Sequence, residues 1–136
     1  METSQIKQTI ADLSERSVHA GHLCMARIKL SQLEIVDLKT GRMKLENRQR
    51  RLDGSLTEAE KKAINKKSRY FKIELDADVW HHLRVSIRGD EMSVAINDQQ
   101  VGKFSSAGIA HPTKRKLRLA VGKTAWVDDV LVTRHQ

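Results

Sequence analysis

From residue 69 onward, apolar and polar residues alternate with a period of two, and turn residues break the pattern at short intervals. Leu83, Val85 and Ile87 alternate with Arg84, Ser86 and Arg88; Gly89-Asp90 follows; Met92, Val94 and Ile96 alternate again; Asn97-Asp98 follows that. Successive side chains on a strand point to opposite faces, so each run buries one face and solvates the other. Short runs of this kind are expected in an antiparallel sandwich or barrel. The predicted strands are 22–30, 33–38, 69–75, 80–88, 92–96, 101–104, 116–121 and 125–133. At 136 residues the chain is one domain with room for one core.

A helical interruption is predicted between the second and third strands. Residues 43–51 are good helix formers, Asp53-Gly54 breaks them, and Thr57-Glu58-Ala59-Glu60 has capping-box spacing for a second helix ending near Lys67. This insert, about 43–67, also dominates the electrostatics. The window from Lys39 to Lys72 holds twelve basic and four acidic side chains, a surplus equal to the chain's whole formal charge of +8. The strands around it are therefore neutral on balance. Ile6, Ile10 and Leu13 are spaced for a short amphipathic helix over 4–16, so residues 1–16 are read as an N-terminal helix or arm and 17–136 as the sandwich.

Cys24 is the single cysteine, which excludes an intrachain disulfide. No apolar run approaches the 18 or so residues of a spanning helix, and no membrane partner is expected. The first 13 residues lack the apolar core of a secretory signal. The expectation is a soluble, cytoplasmic protein as the chain stands, and an exported one if a further segment precedes it.

The run Trp80-His81-His82-Leu83-Arg84-Val85, Gly89-Asp90, residues 92–96 with Asn97-Asp98, and Val101-Gly102-Lys103-Phe104 resembles the hairpins of concanavalin A-like jelly-roll domains. Ala125-Trp126-Val127-Asp128-Asp129-Val130-Leu131-Val132 resembles their last strand. With the strand from His22 to Ile28, the likeness extends to bacterial 3-keto-disaccharide hydrolase-type domains. The resemblance covers about residues 17–136. It implies a mainly β, jelly-roll-like antiparallel β-sandwich that binds or acts on carbohydrate, with a glycoside hydrolase-like activity if it is an enzyme. It would place a site on the concave sheet, with His22, His82, Arg84 and Asp128 as ligand-binding candidates. Lectins, glucanases and laminin-G modules share that sandwich, so the function has to be argued from a site. The chain also departs from the pattern. Members have several strands ahead of the equivalent of His22, whereas here only a helix or arm is predicted. An incomplete sandwich is expected, completed by a partner or self-associating through an exposed sheet edge.

Other constellations carry less. Glu34 and Asp37 are three apart on a strand and fall on opposite faces, whereas a glycosidase pair shares one cleft. Of Asp128 and Asp129 one is expected to face inward, as a buried acid tying down a loop. His19, His22 and Cys24 lack a further ligand at matching spacing, so no metal is expected, and no motif indicates a cofactor. Val121-Gly122-Lys123-Thr124 imitates a phosphate-binding loop, but Leu117 stands where that loop needs glycine. The alternative function rests on charge. Arg48, Arg50 and Arg51 of the insert, with Lys114, Arg115 and Lys116 of a basic loop, could contact a polyanion or nucleic acid. A plain solvated helix explains the same residues.

Overall fold

The computed structural model describes residues 2–5, 23–110, 118–120 and 124–133, with only the backbone for 2–5 and 118. Two antiparallel sheets face each other. The first has strand order β4-β3-β2-β1-β8, built from β1 (Glu2–Gln5), β2 (Cys24–Ile28), β3 (Gln32–Asp37), β4 (Ser68–Lys72) and β8 (Arg118–Ala120). The second has order β5-β6-β7, from β5 (Leu83–Arg88), β6 (Glu91–Ile96) and β7 (Gln99–Ser105). The fold is therefore a mainly β sandwich, as the alternation requires.

Side-chain parity explains the layers. On β2 and β3, Cys24, Ala26, Ile28, Leu33 and Ile35 turn toward the second sheet, where Met92, Val94 and Ile96 of β6 meet them. The opposite parity of the first sheet makes a smaller cluster, in which Met25, Val36 and Leu38 pack under Met43. The sheets approach closely at one point. A Cβ on Gly102 of β7 would lie 2.6 Å from Leu33 Cδ2 and 2.9 Å from Phe71 Cδ2, so only glycine lets β7 lie on β3 and β4 there.

Between β3 and β4 the chain forms α1 (Leu45–Leu52) and α2 (Glu58–Asn65), the predicted insert. The capping box of α2 is complete: Glu60 N–H donates to Thr57 Oγ1, and Thr57 N–H donates to the Glu60 carboxylate. The Thr57 hydroxyl, followed by its backbone N–H and Arg50, holds the Glu60 carboxyl below the usual range. Arg50 also pairs with Glu60 and donates to Ser55 O, which ties α1 to the start of α2. Thr57→Ala is expected to cost about 1 kcal/mol, read as a lower urea midpoint at unchanged slope.

Two expectations change. The helix predicted over 4–16 meets a strand at its start, because Glu2–Gln5 pairs with both β2 and β8. Backbone pairing to two neighbours outweighs a helix signal carried by three apolar residues. The rest of that helix, residues 6–16, lies outside the described residues. The strand predicted over 125–133 is not formed: residues 124–133 are irregular and exposed, and Asp129 has φ +52°, which interrupts an extended path.

Candidate functional site

Asp37, at the end of β3, is a polar side chain with four hydrogen bonds. It has no solvent exposure. Thr40 N–H donates to its Oδ1 at 3.0 Å, while Thr40 Oγ1, Ser106 Oγ and Gly108 N–H donate to its Oδ2 at 2.5, 2.5 and 2.9 Å. Its own backbone N–H donates to Lys67 O at 2.8 Å. Asp37 thus joins three parts of the chain: the turn after β3, the junction of α2 with β4, and the 3-10 turn Ala107–Ala110 after β7. A Cβ on Gly108 would lie 2.0 Å from Asp37 Oδ1, so the carboxylate occupies the space that any other residue would need.

The segments joined by Asp37 form the two rims of a groove. β4 and β7 are edge strands of their sheets, and they face each other along one side of the sandwich. One hollow there, of about 700 Å³, is lined by Lys66, Ser68, Arg69, Lys103, Phe104 and Ser105. A second, of about 590 Å³, shares Lys66 and Ser105 and extends past Lys62, Lys67 and Ser106. The helical rim follows from sequence spacing. Ala59, Lys62, Ala63 and Lys66 recur at three and four residues, which puts them on one face of α2. The alanines keep that face low, and the lysines flank it.

Five cations therefore border the two adjoining hollows. Lys103 is paired with Glu91 at 3.4 Å across β6 and β7. Among the described residues no carboxylate forms an ion pair with Lys62, Lys66, Lys67 or Arg69. Phe104, half-buried and packed on the core, is the only aromatic ring lining the groove among the described residues. The depression offers positive charge and hydroxyl donors, with little surface for stacking.

The residues singled out in the sequence are dispersed. His82 and Arg84 have the same parity, on the outer face of the second sheet, both exposed; Arg84 lies 3.7 Å from Asp98. His82 N–H donates to Asn97 Oδ1, which fixes the turn between β6 and β7. Asp128 and Asp129, one of them expected to face inward, are both exposed; among the described residues Asp128 Oδ1 accepts the N–H of Asp129 at 2.8 Å. The buried acid tying down a loop is Asp37 instead. Arg48, Arg50 and Arg51 lie on α1, and none lines the groove. His22, Lys114, Arg115 and Lys116 lie outside the described residues.

Glu34 and Asp37 do occupy opposite faces, as their spacing requires. Glu34 is 5% exposed, lies 3.8 Å from Arg27 and stands directly opposite Tyr70 in the β3–β4 ladder. Interaction with the Glu34 carboxylate, together with burial, raises the Tyr70 phenol above its ordinary value. Its stabilising contribution is complete below the unfolded value near 10 and is lost as pH rises through the higher folded value. Ultraviolet titration is expected to show a late-ionising phenol that moves down in Glu34→Gln. A Tyr70 midpoint identical in both proteins would refute the pairing.

Among the described residues no group of His, Cys, Asp and Glu could hold a metal ion, and no helix is long and apolar enough to cross a membrane. No family model, curated protein or solved structure matches this chain.

Proposed function

We propose that this chain is a non-enzymatic polyanion-binding module, and that the groove between β4 and β7 is its binding surface. One observation carries the reading: Lys62, Lys66, Lys67, Arg69 and Lys103 line adjoining hollows, and four of the five lack a described carboxylate partner. A groove bordered by five cations suits an extended backbone of repeated negative charges. The scarcity of aromatic surface favours contacts to phosphate or sulfate over base stacking, so binding should depend weakly on sequence. Placing the charge on an insert beside a neutral framework keeps it local.

The test is a salt titration of binding to a single-stranded homopolymer, with heparin and neutral glycans in parallel. With about five backbone contacts, affinity should fall about 100- to 500-fold between 50 and 200 mM salt. Binding to a neutral glycan that ignores salt would replace this reading with the carbohydrate module suggested by the jelly-roll resemblance. Failure of all three ligands to bind a folded sample would remove both.

A further inference from the structure

The opposite side of the second sheet carries a separate feature. β5 lies at the sheet's other edge, and its inner face is incompletely covered. Met92, Val94 and Ile96 of β6 are buried, yet Leu83, Val85 and Ile87 of β5 are only partly so, and Val79 and Trp80 beside them are 55% and 68% exposed. The core is thus open along β5. On the same chain, residues 124–133 expose Trp126, Val127, Val130, Leu131 and Val132, at 44% to 86%. Among the described residues no strand pairs with the outer edge of β5 or with 124–133, and an unpaired edge and an unpaired apolar segment are each a liability in water.

The two are complementary in detail. Asp129 has φ +52°, the left-handed backbone that a bulge residue adopts. A bulge that begins at Asp129 keeps Val127, Val130 and Val132 together on one face and leaves Asp128 on the other. Laid along β5, the valines would cover Leu83, Val85 and Ile87. The Asp128 carboxylate would meet Arg84 and Arg88, which alternate onto the solvent face of β5 and are exposed.

We propose that two copies of this chain pair by reciprocal strand addition, with residues 124–133 of each docking on the β5 edge of the other. A second copy is the occupant because each chain carries both halves of the contact, and among the described residues the segment joins neither of the chain's own sheets. A two-fold arrangement uses both edges and closes the assembly. The groove between β4 and β7 lies at the far edge of the sheet, so this pairing is independent of polyanion binding.

Sedimentation of the full chain over a wide concentration range provides the test, with two charge-reversed variants. One carries Arg84→Glu and Arg88→Glu; the other carries Asp128→Lys and Asp129→Lys. Each should associate at least about tenfold more weakly with itself, because like charges then face each other. Mixing the two restores opposite charges at both contacts and should recover the dimer. A wild-type chain that stays monomeric throughout, a dimer indifferent to both variants, or a mixture that fails to recover would each overturn the proposal. So would a monomer in which the amides of 124–133 are protected from exchange, since the segment would then lie on its own sheet.

Discussion

Asp37→Ala is expected to destabilise the fold by about 4 kcal/mol, the largest effect of any single substitution considered for this chain. The carboxylate has no exposure and accepts four hydrogen bonds. Hydroxyls of Thr40 and Ser106 can rotate toward other acceptors, but the N–H groups of Thr40 and Gly108 are fixed by the backbone. Each buried donor left without an acceptor costs roughly 1–3 kcal/mol. Small domains have about 5–15 kcal/mol in total, so the variant should be partly unfolded at moderate temperature. Asp37→Asn keeps one acceptor oxygen but turns an amide N–H₂ toward a donor, and should lose roughly half as much. Urea denaturation followed by far-ultraviolet circular dichroism is the appropriate measurement, because Trp80 and Trp126 are exposed and report weakly on burial. Wild-type stability in Asp37→Ala would show that the four bonds do not hold the segments together. Where Asp37→Asn remains folded, it should also bind polyanions more weakly, because the rims of the groove would lose their common anchor.

Asp37 also marks the limit of what the sequence discloses. The strands were legible because alternation is local: Leu83, Val85 and Ile87 reveal their face without reference to anything else. The helices were legible through a local device, the capping box at Thr57 and Glu60. Glu34 and Asp37 could be assigned to opposite faces by counting. The role of Asp37 could not be read, because Ser106 and Gly108 lie 69 and 71 positions away and meet it only when β7 packs over β3. Lys103 joins the groove for the same reason, as a strand residue far from the charged insert. Within the insert, net charge drew attention to Arg48, Arg50 and Arg51. The better signal was the spacing of Ala59, Lys62, Ala63 and Lys66, since small residues between lysines leave a helix face that something can approach. The acid pair at 128–129 misled because adjacency guarantees one inward residue only if a strand forms.

That distinction between total charge and placed charge leads to a charge-matched comparison. Lys62→Gln with Lys66→Gln removes two positive charges from the groove; Arg48→Gln with Arg51→Gln removes two from α1, sparing Arg50, which holds Glu60. Net charge falls equally in both. All four substitutions replace partly or fully exposed side chains outside the core, so neither fold should change appreciably. If the groove binds the polyanion, the first pair should lower the slope of log affinity against log salt by about 1.4–1.8, the value for two lost backbone contacts. The second pair should leave the slope nearly unchanged, because neither Arg48 nor Arg51 lines the groove and the slope counts only charges that contact the polyanion. Adding Lys67→Gln and Arg69→Gln to the first pair should leave about one contact and reduce the fall between 50 and 200 mM salt to roughly threefold. Equal losses from the two charge-matched pairs would mean that the protein attracts polyanions through its overall charge. Binding would then belong to the insert as a whole, and the groove anchored by Asp37 would be a structural seam between the helices and the sandwich.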